Sequence, residues 1–135
     1  MSLAELRGDL VILTCAVSAG IHGALVPEHF DEGTGAGVGF VLATVLLVAL
    51  VIGLTRYAES ERLLACAVIT LVGLLASYLL AVTTGLPVFQ PNPEPVEGLA
   101  LATKAIEAVG VLAAWSLLRR PHTSLAFHQP KGTHT

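Results

Sequence analysis

Charged residues are scarce in this chain, and those present are unevenly placed. Asp, Glu, Lys and Arg make up 13% of its 135 residues, against about 25% in an ordinary soluble domain. Hydrophobic residues make up 54%, and the mean hydropathy is +0.78. The charges fall in short stretches between long apolar runs, which indicates that lipid rather than water surrounds most of the chain. A chain of this length has room for one bundle and none for a second domain.

The motifs of several protein classes are also missing. The two cysteines, Cys15 and Cys66, stand apart inside apolar runs, so a CxxC redox motif or zinc ribbon is excluded and both are predicted to be small buried side chains. The net charge of −3 and the absence of a basic cluster give no sign of a nucleic-acid partner. The sequence contains no GxSxG, HExxH or GxxxxGK[ST], which favours a protein that is not an enzyme.

Four apolar runs are long enough to cross a bilayer, which takes about 20 mostly apolar residues for about 30 Å of hydrocarbon. They predict an all-α fold, a four-helix transmembrane bundle of antiparallel helices within residues 1–120. Residues 121–135 are polar and are predicted to be a disordered tail. The predicted spans are residues 10–26, 37–55, 63–83 and 96–118.

The placement of Lys and Arg predicts the orientation of the bundle. The two loops at residues 27–36 and 84–95 contain neither residue type, whereas both ends of the chain and the hairpin at 56–62 do. The basic residues on that side are Arg7, Arg56, Arg62, Arg119, Arg120 and Lys131. Both termini are therefore predicted to be cytoplasmic, and the first span is predicted to be retained rather than cleaved as a signal peptide.

Ionisable groups inside two spans stand out, because each costs about 2.5–3.5 kcal/mol near a helix centre on insertion scales. In span four, Lys104 and Glu107 are three residues apart and close enough to pair. In span one, Ser18 and His22 lie one turn apart on one face. We therefore predict that helices one and four face each other through an intramembrane polar cluster of Ser18, His22, Lys104 and Glu107. A structural ion pair and a hydrogen-bonded histidine are the simpler interpretation of these residues.

A second group of polar residues lies at the predicted outer face. It consists of histidine and glutamate side chains, whose nitrogen and oxygen donors suit a divalent transition metal. We treat this group as a hypothetical metal site. His22 and His29 share a helix face only if the helix continues through Pro27, and a solvated acidic loop explains the carboxylates equally well. The residues of this hypothetical site are His22, Glu28, His29, Glu94 and Glu97.

The segment at residues 19–30, AGIHGALVPEHF, resembles a recurring pattern in small multi-span membrane proteins of actinobacteria and related bacteria. In that pattern a histidine near the end of the first helix precedes a Pro-Glu-His step and a glycine-rich entry to helix two. The resemblance covers about 20 residues and implies a multi-pass protein of a bacterial cytoplasmic membrane, without implying an activity. The aromatic-rich second span often found with the pattern is missing, since Phe40 is the aromatic residue of this span.

Two functions of different classes follow from these observations. The first is a non-enzymatic accessory or assembly subunit of a bacterial membrane complex, whose partners are the bilayer and either other subunits or further copies of itself. The alternative is a metal- or proton-handling membrane protein with a His/Glu site in the outer half of helices one and four. An enzyme that acts on lipid or quinone is a third hypothesis.

Overall fold

The computed structural model describes residues 2–86, 93 and 95–120, and these form four helices and no strand. Each helix is long and apolar enough to span a membrane. The all-helical, four-span prediction is confirmed at this level, and the fold is that of a multi-pass membrane protein. The predicted tail at 121–135 lies outside the described residues. The helices are α1 Leu3–Glu32, α2 Thr34–Arg56, α3 Glu61–Thr83 and α4 Gly98–Leu118.

Helix α1 extends beyond the predicted span 10–26 at both ends. At its start the Ser2 hydroxyl accepts a hydrogen bond from the Glu5 N–H, and the Glu5 carboxylate accepts one from the Ser2 N–H, which satisfies donors that a helix start leaves free. At its end the helix continues through Pro27 to Glu32. The predicted span marks where the apolar run stops, whereas backbone hydrogen bonding carries the helix further. The loss of one hydrogen bond at Pro27 does not end it.

The connection between α1 and α2 is a single residue, Gly33, where the sequence predicted a loop over residues 27–36. The ring of Phe30, at the end of α1, lies over Gly37 in the first turns of α2, where any Cβ would overlap the ring. The missing side chain at Gly37 thus lets the two helices approach closely at this corner. On the α2–α3 side, Ser60 caps the start of α3. Helix α4 begins at Gly98, two residues later than the predicted span.

The four helices form a ring of neighbours, in which α1 packs most extensively on α2 and also on α4, and α2 packs least on α3. Fully buried apolar side chains fill one half of the bundle. Cys15 belongs to this core, but the prediction of a second buried cysteine was wrong, because Cys66 lies exposed on α3. The outer faces carry large apolar side chains that suit contact with lipid, among them Leu13, Leu42, Leu46, Ile69 and Leu112.

Candidate functional site

Among the described residues, Glu107 on α4 is the one Asp, Glu, Lys or Arg that is completely buried, with an exposed fraction of 0%. The Ser18 hydroxyl on α1 donates to its Oε1 at 2.7 Å, and Lys104 Nζ lies 2.8 Å from its Oε2. Each carboxylate oxygen therefore has a partner, one on its own helix and one across the α1–α4 interface. These two contacts offset the free-energy cost of removing the Glu107 carboxylate from water.

His22 completes this group one turn along α1 from Ser18, and its orientation is fixed by the backbone. Its Nδ1 lies 2.9 Å from the Ser18 carbonyl oxygen and 3.3 Å from the Ser18 hydroxyl oxygen. A carbonyl oxygen only accepts, so Nδ1 carries the proton and donates, and Nε2 of the neutral ring is left with its lone pair. Nε2 makes no hydrogen bond to any residue that the structure describes. The structure thus brings the four residues of the predicted polar cluster together: Ser18, His22, Lys104 and Glu107.

A serine, a histidine and a carboxylate in contact invite comparison with a hydrolase triad, but the order of the contacts is different. In a triad the imidazole lies between the hydroxyl and the acid and takes the hydroxyl proton. Here the Ser18 hydroxyl lies between His22 and Glu107 and donates to the carboxylate. The Nδ1 atom of His22 is occupied by the backbone, and Ser18 has an exposed fraction of 0%. Ser18 is therefore placed to join two helices rather than to attack a substrate.

His29 repeats the geometry of His22 two turns further along α1. Its Nδ1 lies 2.9 Å from the Leu25 carbonyl oxygen, so this ring also donates its Nδ1–H backward to the helix. The ring stacks on Phe40 of α2, with centroids 3.5 Å apart, and His22 lies 5.2 Å from the same ring. Both histidines share this face because α1 continues through Pro27. The side chain of Phe40 thus holds both imidazoles in place.

These residues border a cavity of about 350 Å³ among the four helices. The C-terminal parts of α1 and α3 and the N-terminal parts of α2 and α4 form its walls. Apolar side chains such as Leu25, Phe40, Leu74 and Leu99 supply much of the lining. The polar lining consists of His22, Glu28, His29, Glu32, Ser77, Tyr78, Glu97, Thr103 and Lys104.

Tyr78 on α3 is a member of this lining that the sequence did not single out. Its hydroxyl oxygen is buried and has no hydrogen-bond partner within the described part of the chain. Lys104 Nζ lies 5.7 Å from the centre of its ring, in the range of a cation–π contact. The available signal was a lone tyrosine after Ser77 inside an apolar span, but a tyrosine at that depth is also an ordinary core residue. Only the packing of α3 against α4 shows that it borders the cavity.

The cavity ends at the polar cluster. Beyond Glu107 and Ser18, Gly110 on α4 lies against the methyl group of Thr14 on α1, and Leu71 of α3 packs at the same point. Val11, Cys15, Leu71 and Ala114 are completely buried there. Within the described residues the apolar core thus closes the other half of the bundle. The space is a pocket with a floor and not a channel.

The residues of the hypothetical metal site are placed around this pocket without converging. His22, Glu28, His29 and Glu97 all line it, and Glu94 lies outside the described residues. Among the residues that the structure describes, no three His, Cys, Asp or Glu side chains form a group able to hold a metal ion. The nearest approach is His29 Nε2 to Glu32 Oε2, at 4.0 Å. The metal site stays a prediction.

Comparison with protein-family models, with curated proteins and with solved structures gives no significant match. The case for a function therefore rests on the pocket and on the polar cluster at its floor.

Proposed function

We propose that this chain is a non-enzymatic, multi-pass membrane protein that binds a small ligand in the pocket, as an accessory or assembly subunit of a bacterial membrane complex. The observation that carries the proposal is the buried Tyr78 hydroxyl, which has no partner among the described residues, together with the Nε2 atom of His22, which has no hydrogen bond to a described residue. Leaving a buried donor or acceptor unpaired costs about 1–3 kcal/mol. A ligand that pairs with these atoms recovers this free energy, and a volume of about 350 Å³ is within the range of small-molecule sites.

The arrangement of the cluster supports binding over catalysis or transport. The one buried hydroxyl beside an acid and an imidazole is turned toward the acid, and the apolar core closes the way beyond it.

The test is to identify what the protein retains when it is purified in mild detergent. Ala100 lines the pocket, so Ala100→Leu fills it, whereas Ala102→Leu adds the same side chain to an exposed position of the same helix. Mass spectrometry of an organic extract should find a small molecule with the native protein and with Ala102→Leu, and lose it with Ala100→Leu. Equal recovery from all three proteins, or none from any, would contradict the proposal.

We also propose a second candidate, metal or proton handling, which one specific observation favours. Histidines that bind a metal usually donate their other ring N–H to a backbone carbonyl or a carboxylate, and both His22 and His29 donate Nδ1–H to a carbonyl. The candidate ligands are the Nε2 atoms of these two residues with Glu28 and Glu97, and Glu94 from outside the described residues.

Elemental analysis and an optical spectrum of untagged protein decide this candidate. Near-stoichiometric metal that disappears in His22→Ala and in His29→Ala would support it. A colourless protein without bound metal would leave the histidines as residues of the organic ligand pocket.

A further inference from the structure

The charges around the pocket are unbalanced. Three exposed carboxylates stand at its edge, Glu28, Glu32 and Glu97, and we call them the acidic rim. Lys104 is the one Lys or Arg in the described lining, and its Nζ is already paired with the buried Glu107 at 2.8 Å. No other Lys or Arg of the described lining is left to compensate the negative charge of the rim. The negative charge of the rim would repel an anion that enters the pocket and attract a cation.

The hydrogen-bonding groups point to the same kind of ligand. The ring N–H of His22 is donated to a backbone carbonyl, which leaves its Nε2 as an acceptor at the lining. His22 is 6% exposed, and its Nε2 has no hydrogen bond to a described residue. The carboxylates of the rim are acceptors as well. A ligand that fits this lining supplies donors.

The apolar walls separate an organic cation from a metal ion. Phe40, Leu74 and Leu99 line the pocket beside the acceptors. A bare metal ion needs several ligands that converge on one point, and no such group of three exists among the described residues. A cation that carries its own apolar body can use the acceptors without such convergence, because its carbon atoms cover the walls.

We propose that the pocket binds a primary ammonium group on a short apolar body, with the ammonium directed to the acidic rim and to the Nε2 atom of His22 and the carbon chain lying against Phe40, Leu74 and Leu99. The proposal rests on the ligand-binding function above and adds the ligand's chemical class. A quaternary ammonium has the charge without the donors, a neutral alcohol has a donor without the charge, and a carboxylate has the wrong sign.

The experiment uses four probes of one chain length: hexylammonium, hexyltrimethylammonium, hexanol and hexanoate. Each is titrated at pH 7.5 against the full chain in an uncharged detergent, and binding is followed by saturation-transfer NMR. Hexylammonium should bind about tenfold or more tightly than the other three, which is the factor expected from one hydrogen bond to a charged group.

Charge-removing variants at exposed positions locate the binding without disturbing the core. Glu28→Gln and Glu97→Gln should each weaken hexylammonium severalfold. Glu59→Gln removes the same charge from an exposed position in the α2–α3 connection and should leave binding unchanged. Equal weakening by Glu59→Gln would show attraction to the acidic surface in general, and no weakening by any of the three would show that the rim does not hold the ammonium; either result overturns the proposal.

The probes and the Ala100→Leu variant also separate this proposal from the binding function on which it rests. If hexanol or hexanoate binds as well as hexylammonium and Ala100→Leu abolishes that binding, the pocket is a ligand site but its ligand is not an ammonium. If no probe binds, and Ala100→Leu and Ala102→Leu retain the same extracted molecules, the ammonium and the ligand-binding function are both overturned.

Discussion

Glu107 connects two helices in the interior of the bundle. Its two oxygens hold a cation on α4 and a hydroxyl on α1. These two contacts differ in how much they contribute to the stability of the fold. Hydrogen bonds between helices in membranes are worth about 0.6 kcal/mol on average, whereas removing one partner of a buried ion pair costs about 3–5 kcal/mol, because the other charge stays behind.

We therefore expect Glu107→Gln to lower the free energy of unfolding by several times more than Ser18→Ala does. The double variant Lys104→Met, Glu107→Gln should recover much of the loss, because it leaves no unpaired charge. Reversible unfolding of the purified protein in mixed micelles measures all three. A double variant no more stable than Glu107→Gln alone would show that the pair is not what stabilises this region.

Tyr78 allows a prediction of opposite sign for stability and for binding. Tyr78→Phe removes a buried hydroxyl that has no partner among the described residues, so the ligand-free protein should be unchanged or more stable by about 1–3 kcal/mol. The same change should reduce the amount of the retained small molecule. Thermal unfolding after ligand removal and mass spectrometry of the extract give the two measurements. Lower stability without ligand would mean that the hydroxyl has a stabilising contact after all.

At the scale of the helices, the interface between α1 and α4 depends on a close approach at Gly110. A methyl group there would overlap the Thr14 methyl and touch Leu71. Thr14 is β-branched and buried, so its side chain has little freedom to move away. The cross-helix bond from Ser18 to Glu107 forms one turn away and requires the same approach.

Gly110→Ala should therefore destabilise the bundle by about 1–3 kcal/mol, the usual cost of overpacking. Adding Thr14→Ser to Gly110→Ala deletes the obstructing methyl group and should restore the lost stability. Gly73→Ala is the matched control, because a Cβ at Gly73 meets nothing within 4 Å. Unfolding of the three variants in micelles tests this expectation, and an equal effect of Gly73→Ala and Gly110→Ala would contradict it.

At the scale of the whole molecule, the distribution of Lys and Arg predicts that the α2–α3 connection and both termini are cytoplasmic. In a chain with Cys15 and Cys66 changed to Ala, a single cysteine replaces either Glu59 or Asp31, both exposed. A membrane-impermeant maleimide on intact cells should label Asp31→Cys and spare Glu59→Cys until the cells are lysed. Labelling of Glu59→Cys in intact cells would reverse the predicted orientation, and the pocket would then open to the cytoplasm.

Hydropathy and charge alone determined that this chain has four helices that can cross a membrane, because the cost of placing polar residues in hydrocarbon acts on each span separately. The sequence also predicted the Lys104–Glu107 pair, because both residues lie on one helix, three positions apart. The sequence also predicted that helices one and four face each other through these residues, and the structure joins the two helices by the hydrogen bond from Ser18 to Glu107.

The pocket was decided by tertiary structure. The continuation of α1 through Pro27 aligned His22 with His29, and the approach of four helices placed Phe40 and Tyr78 beside them. Hydropathy does not show that α1 continues past Pro27, because the helix extends there into polar residues. Nor does it show what Tyr78 contacts, because the sequence does not specify the neighbours of a tyrosine in an apolar span. A pocket is a property of the gaps between helices, and those gaps depend on side chains from distant parts of the chain.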